Sequence, residues 1–341
     1  MRCVAIKGVR EFEIKEIEEP VSDGEKVIVD VIKSGICGSD LHYFQLGMPA
    51  GLVMGHEFCG KVKDPGSRKD LKVGDLVTAL PISPCGKCNA CLSGNPQYCI
   101  HTWENAVGLS LNNPGGLTKT IAVRPDMVLP VPEVMSPEEG AMVEPTAVGL
   151  HAIHLADIKV GDKVLIAGGG IIGLVSAMFA KLEGASYVAL SEANPARGEK
   201  SVNLGVADEW FDVKDPNCAK KLKEKSNGGF DVVVECVGNE PAVNSAIDIV
   251  KQGGNIVLVG VSMKPINFNS LSAVMKELNI QGAIGYTKGE FATCIDLIAN
   301  KQIDVLKFVD DVVSLDGVQG AYERLTSGTD GAVKILVDPN L

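Results

Sequence analysis

The sequence predicts a two-domain α/β protein, in which a doubly wound parallel sheet is joined to a compact, mostly β domain. Three observations lead there. The chain has 341 residues, more than one hydrophobic core usually serves. From about residue 150 onward, short apolar runs alternate with helical stretches, the rhythm of βαβ units under a covered parallel sheet. Before that point the chain reads as short strands punctuated by Pro and Gly.

In the first part, residues 1–8 read as an opening strand, and residues 26–33 and 76–80 are β-branched apolar runs bounded by turn formers. Turns fall at 47–51 and 113–116. In the second part, strands are expected at 163–167, 187–191, 231–235 and 255–259, with helices at 172–183, 197–204, 219–226 and 241–250. A further helix at 291–299 and closing strands near 308–313 and 333–337 follow. Periodicity leaves open which domain this tail joins. No internal repeat or low-complexity tract appears.

Composition narrows the function classes. Hydrophobic residues make up 45% and charged residues 22%, an ordinary globular mixture. A net charge of −11 repels nucleic-acid phosphates and anionic lipid, so neither is an expected partner. No basic-then-apolar leader opens the chain. The longest apolar stretch, 164–180, is broken by glycines and fits a strand, a turn and a helix better than a membrane span. A cytoplasmic enzyme acting on a small molecule is the expectation.

The strand at 163–167 runs into Gly168-Gly169-Gly170-Ile171-Ile172-Gly173, a G-x-G-x-x-G pattern ahead of a helix. Gly168 allows the tight turn, Gly170 lets the backbone approach a pyrophosphate, and Gly173 lets helix and strand pack, as in the Rossmann fingerprint. The pattern alone is weak and equally marks a plain turn. Its context strengthens it, because Glu192 ends the next strand nineteen residues after Gly173, where a carboxylate can accept from both ribose hydroxyls. That carboxylate would repel the 2′-phosphate of NADP, so NAD is the expected cofactor. Arg197 either meets adenine or a phosphate, or is a solvated residue of the helix start. Gly260 and Val261, just after the strand at 255–259, complete the expected cofactor contacts with Ile172.

Ten cysteines are present, and Cys85, Cys88, Cys91 and Cys99 crowd at spacings of three, three and eight. Four thiolates on one loop close a tetrahedron around zinc and leave no open position, a structural site. A redox pair is the plain alternative, and an iron–sulfur cluster is the chemical rival. The bacterial ferredoxin run continues with a fourth Cys after three residues, whereas Cys99 lies eight beyond Cys91. A nucleic-acid-binding zinc ribbon conflicts with the acidic charge.

Two more segments carry metal-ligand chemistry. In one, Cys37 stands beside Ser39 and His42; in the other, His56 is followed by Glu57. Cys37 and His56 suit a zinc that keeps a place for water or substrate. Glu144, followed by Pro145, is a third carboxylate candidate; singly, each of these residues also fits a buried thiol, a turn histidine or a solvated glutamate.

Gly35 to Asp40, Gly55-His56-Glu57, the four-cysteine loop, Glu144-Pro145 and Gly168 to Gly173 stand in one order along the chain. In that order they resemble the zinc-containing medium-chain dehydrogenase/reductase family over essentially the whole chain. The resemblance implies a GroES-like catalytic domain from residues 1–150 and 285–341, with an NAD-binding Rossmann domain at 151–284 between. It implies one catalytic and one structural zinc, NAD, and a homodimer or homotetramer. Glu144-Pro145 resembles the polyol, threonine and butanediol branch, and residues 282–287 look most like the butanediol enzymes. Gly285 stands where animal sorbitol dehydrogenases carry arginine, and the stretch between His42 and Gly55 is shorter than theirs, so sorbitol itself is the less expected substrate. His101, His151 and His154 match no ligand position and read as structural or surface residues.

The implied chemistry is hydride transfer between NAD and a secondary alcohol or ketone, such as a vicinal diol or polyol. Zinc on Cys37, His56 and either Glu57 or Glu144 would favour the alkoxide, and Ser39 and His42 would relay the proton. A hinge near residue 150 would open the cleft. A metal-free reductase of carbon–carbon double bonds, or a non-catalytic dinucleotide binder on the same fold, are the alternatives from other classes.

Overall fold

The apolar runs set out above become two separately packed units in the computed structural model, which describes residues 1–341. In chain order the elements are β1 (Arg2–Gly8), β2 (Glu11–Glu16), β3 (Val27–Gly35), α1 (Gly38–Leu46), β4 (Glu57–Asp64), β5 (Leu76–Ala79), α2 (Asn89–Leu92), β6 (Thr120–Val123), β7 (Val128–Pro130), α3 (Pro137–Ala141) and α4 (Val143–Ala156). There follow β8 (Lys163–Ala167), α5 (Ile171–Leu182), β9 (Tyr187–Glu192), α6 (Pro195–Asn203), β10 (Glu209–Asp212), α7 (Cys218–Ser226), β11 (Phe230–Glu235), α8 (Glu240–Ile249) and β12 (Val250–Leu258). The chain closes with α9 (Ser270–Met275), β13 (Asn279–Gly282), α10 (Lys288–Ala299), β14 (Asp311–Val313), α11 (Val318–Ser327) and β15 (Ile335–Val337).

The first unit comprises Met1–Ala147, Tyr286–Ser327 and Lys334–Leu341. Its main sheet runs β14-β15-β3-β4-β5-β7, with β6 also paired to β3. β14 and β15 are parallel, while β15 pairs antiparallel with β3, so the tail's strands extend the sheet begun by the N-terminal residues. Val29, Val31, Phe58, Val77, Ile121 and Val123 form a buried cluster on it. Burying each such side chain contributes roughly 1.5–3 kcal/mol.

The second unit comprises Val148–Gly285 and Gly328–Val333. Its six strands are all parallel, in the order β10-β9-β8-β11-β12-β13. Counted from β8 this is 3-2-1-4-5-6, the doubly wound order, in which ligands bind beyond the carboxyl ends of the strands where the order reverses. Leu165, Phe211, Leu222, Phe230, Val233 and Ile247 pack one core of this sheet. Residue 150 lies inside α4, a continuous helix, so no loop is available there to act as the hinge expected from the sequence. No helix is long and apolar enough to cross a membrane.

Candidate active site

Three side chains meet at the head of β4 and α1. Cys37 is the N-cap of α1. Asp40, three residues on, accepts from the Cys37 backbone N–H with Oδ2 at 3.3 Å and fixes that turn. Glu57 opens β4 opposite Gly35 of β3. A Cβ at Gly35 would stand 2.0 Å from Glu57 Oε2, so glycine is needed for the carboxylate to fold inward. His56 directly precedes it, and ligand atoms of Cys37, His56 and Glu57 lie within 4.8 Å of one another.

The cluster is built for a cation. His56 and Glu57 are buried. Glu57 Oε1, His56 Nδ1 and Asp40 Oδ1 have no hydrogen-bond partner, an arrangement that costs free energy unless something else satisfies them. Asp40 Oδ1 stands 3.3 Å from His56 Nδ1, outside hydrogen-bond geometry but close enough to orient the ring. Burial disfavours an imidazolium at His56, yet Asp40 and Cys37 outweigh it and push its pKa well above the ordinary value. A thiolate, an imidazole and a carboxylate oxygen are a donor set that fits zinc with a position left for water or substrate.

Glu144, in the first turn of α4, lies outside that cluster. Its Oε1 accepts from the Tyr286 hydroxyl at 2.8 Å. Burial pushes the Glu144 carboxyl up to about 7; the charge of Glu57 works in the same direction, and His56 and the Tyr286 hydroxyl oppose it. Burial and the Glu144 carboxylate in turn keep the Tyr286 phenol protonated, a standing donor. Ser39 Oγ donates to Cys37 Sγ at 3.3 Å. Ser39 and His42 share no hydrogen bond, so the expected relay between them is not formed in this conformation.

Four residues here were not singled out from the sequence. Asp40 holds Cys37 and faces His56. Tyr322, fully buried in α11, reaches Asp40 Oδ2 at 3.5 Å. Tyr286 holds Glu144. Lys334 Nζ donates to Glu57 Oε2 at 2.6 Å and to the Ile36 carbonyl at 2.9 Å. The Cys37–Asp40 spacing of a helix N-terminus was a usable signal for Asp40, whereas nothing local marks Lys334.

The four-cysteine loop closes on itself around α2. All four sulfurs lie within 4.8 Å of one another, with Cys88 and Cys91 3.5 Å apart and Cys85 and Cys91 4.0 Å apart. Four sulfurs around a zinc at ~2.3 Å would be separated by about 3.8 Å. Backbone N–H groups of Lys87 and Cys88 draw the Cys85 thiol down to about 6, and the Cys85 N–H donates to Cys99 Sγ at 3.3 Å. Burial and the neighbouring thiols raise Cys91 to about 11. Like groups this close ionise together only around a cation, so the set fits a closed, structural zinc. His101 pairs with Glu104 at the surface; His151 is buried and His154 exposed.

In the second unit, Gly168, Gly170 and Gly173 occupy the turn from β8 into α5. Gly168 has φ +104°, and a Cβ at Gly173 would stand 1.9 Å from the Gly168 carbonyl oxygen. Gly170 is the N-cap of α5 without a side-chain cap, and a Cβ there would meet nothing within 4 Å. The first N–H groups of α5, including that of Ile172, belong to a helix start, the kind of terminus that suits a pyrophosphate. Glu192 is more deeply engaged than expected: Oε2 accepts from the Gly169 N–H at 2.6 Å, and Oε1 from the N–H groups of Ala193 and Asn194 at 2.7 and 2.8 Å. It ties the glycine turn to the β9–α6 turn and keeps lone pairs for a ribose. Arg197 is not a solvated helix-start residue, because its guanidinium donates to the Ala332 carbonyl. The N–H groups of Val259 and Gly260 donate to the Glu235 carbonyl, and Gly260 and Val261 pack against Gly238. The turns after β8, β11 and β12 thus adjoin where the strand order reverses.

Comparison with known proteins gives matching families for both units. Residues 23–133 match the alcohol dehydrogenase GroES-like domain and residues 172–300 the zinc-binding dehydrogenase domain. The chain is 33% identical to the (R,R)-butanediol dehydrogenase of Neisseria gonorrhoeae, covering 100% of both chains. It is 31% identical to the sorbitol dehydrogenase of Bacillus subtilis, over 100% of this chain and 98% of that one. The crystal structure of 2R,3R-butanediol dehydrogenase from Bacillus subtilis superposes with a TM-score of 0.88 at 30% identity, covering 99% of each chain.

Proposed function

The chain belongs to the zinc-dependent alcohol and polyol dehydrogenases, oxidoreductases of CH–OH groups that use zinc and NAD, and on that premise we propose that it oxidises one hydroxyl of a vicinal diol such as butanediol. The observation that carries the site assignment is the buried Glu57 carboxylate, clustered with Cys37 and His56, whose Oε1 has no hydrogen-bond partner. When bound, zinc supplies Lewis-acid polarisation of the substrate oxygen and NAD supplies the hydride acceptor.

Cys37, His56 and Glu57 would hold the metal, with Glu144 at its edge. Asp40 keeps the His56 ring in place. Tyr286 keeps Glu144 in place, and the raised Glu144 carboxyl is a group able to take or give a proton near neutral pH. Ser39 and His42 would carry the proton outward after a change of side-chain rotamer. Gly168, Gly170 and Gly173 present backbone N–H groups to the cofactor phosphates, and Glu192 meets the ribose.

In this reading residues 1–150 with 285–341 form the catalytic domain and 151–284 the cofactor domain. Its support is that every expected metal ligand falls in the first unit and every expected cofactor contact in the second. The structural zinc is assigned to Cys85, Cys88, Cys91 and Cys99. Self-association as a homodimer or homotetramer draws support from β13, an edge strand that exposes Ile280 and follows exposed Leu271, Val274 and Met275. A cytoplasmic location is part of the same reading.

The test is turnover with NAD across vicinal diols, polyols, threonine and simple secondary alcohols. Highest catalytic efficiency on a vicinal diol is expected. The name of the Bacillus subtilis sorbitol enzyme favours a polyol as the second reading, and highest efficiency on sorbitol would replace the first with it.

A further inference from the structure

Lys334 carries a buried charge that the proposed reaction does not use. It lies just before β15, which pairs with β3 through Leu336 and Gly35. That pairing delivers its ammonium between the segment holding Cys37 and the segment holding His56 and Glu57. Lys334 and Glu57 side chains are both 0% exposed. An ammonium–carboxylate pair buried this deeply pays a large desolvation cost, and apolar residues of similar volume commonly give equal or better stability. Fold stability alone therefore does not account for it.

The two oxygens of Glu57 are used differently. Oε2 is held by Lys334 at 2.6 Å. Oε1 has no hydrogen-bond partner, and the Glu57 carboxylate lies in the cluster with Cys37 and His56. The other Lys334 contact, to the Ile36 carbonyl, fixes the ammonium to the residue next to Cys37, so it cannot follow Glu57 if the carboxylate shifts.

We propose that Lys334 is a positioning residue for the open metal site: it occupies one oxygen of Glu57, restricts that carboxylate to one-point attachment, and keeps it a weak, releasable ligand. The inference rests on the metal reading given above. Charge counting gives its sign. A Cys37 thiolate and a Glu57 carboxylate balance a divalent cation, and Lys334 adds a further positive charge that opposes the metal. Removing it leaves Glu57 free to bind through both oxygens and lowers the charge beside the metal, so zinc should be held more tightly. A merely structural lysine would have the opposite effect, because a loosened pocket releases metal faster.

The experiment follows zinc transfer from the purified, zinc-loaded protein to a chromogenic chelator, with the open-site phase identified as the one that Cys37→Ser abolishes. Lys334→Met is expected to slow that phase by at least about tenfold, the scale on which groups behind a metal ligand usually act, while Lys334→Arg leaves it close to the unmutated rate. Lys334→Leu, a second apolar replacement that also frees Oε2, carries the same expectation should Lys334→Met not fold. The double variant Lys334→Met with Glu57→Gln is expected to lose the slowing. Release from Lys334→Met or Lys334→Leu as fast as, or faster than, the unmutated protein overturns the inference. Slowing that persists without the Glu57 carboxylate also overturns it. A protein without any Cys37-dependent zinc phase overturns the metal reading itself, which is a separate result.

Discussion

Adding a methyl group at Gly170 tests the cofactor turn with little disturbance to the fold. Gly170 sits at φ −72° and ψ 177°, a conformation open to any L-residue, and its Cβ would meet nothing within 4 Å. Gly170→Ala should therefore fold with a Tm within about 2 °C of the parent, less than 1 kcal/mol of stability. The open space is where a pyrophosphate must come against the backbone, so the methyl takes volume from the ligand. An overpacked contact costs roughly 1–3 kcal/mol, which corresponds to about 5- to 150-fold in Kd. Gly173→Ala is the contrast. Its Cβ would lie 1.9 Å from the Gly168 carbonyl oxygen, about 1.1 Å inside the 3.0 Å that real Cβ contacts observe, and a backbone atom cannot swing away. That variant should lose thermal stability and NADH binding together. The assay is NADH fluorescence titration beside a melting curve for each protein. A Gly170→Ala protein that binds NADH as tightly as the parent would refute the placement of the pyrophosphate at this turn.

Elemental analysis of metal-replete protein should give two zinc ions per chain; Cys37→Ser should remove one and abolish turnover with the fold kept, whereas Cys91→Ser should lower Tm, and iron or a single zinc would contradict both assignments. Glu57→Gln and Glu144→Gln should each cut turnover at least roughly tenfold, and Glu57→Gln should also lower Tm because it leaves Lys334 buried without a counter-charge; normal turnover in Glu144→Gln would return that residue to a structural role. NAD should be preferred over NADP, and because Glu192 holds three backbone N–H groups, Glu192→Ala should weaken binding of both cofactors, a result read by titrating each. Burial raises the Glu235 carboxyl above its ordinary 4.5, so the folded chain binds that proton more readily than the unfolded one. The stability it contributes is whole below about 4.5 and is lost as pH rises through the raised value. Glu235→Gln keeps a carbonyl to accept from Val237 and Gly238 and should flatten the decline of Tm with rising pH; a parallel decline in both proteins would refute the assignment.

Much of the chemistry was legible because its residues are neighbours in sequence. The four cysteines lie within fifteen residues and their turn is local, so spacing alone implied a closed metal site. The glycine turn and Glu192 belong to one βαβ unit, whose period and turn chemistry are short-range properties. β8 falls on residues 163–167 as expected, and α5 to α8 begin one or two residues ahead of the expected starts. Six helices escaped: α1, α2, α3, α4, α9 and α11. α4 is buried nearly all round, so it shows no apolar stripe to read. α11 does carry a stripe, with Val318, Ala321, Tyr322 and Leu325 buried, and overlooking it also hid the Tyr322 contact to Asp40.

The sequence by itself determined the class of chemistry, because a thiolate, an imidazole, carboxylates and a phosphate-binding turn keep their character wherever the chain places them. It also determined most local elements, since propensity, caps and period act over a few residues. Tertiary structure decided how those groups are used. It put Glu57 rather than Glu144 in the cluster with Cys37 and His56, gave Glu144 to Tyr286 across 142 positions, and gave Glu57 to Lys334 across 277. Such partners are chosen by strand pairing and by the need of each buried charge for a counter-charge or donor, and neither leaves a trace in the spacing of residues along the chain.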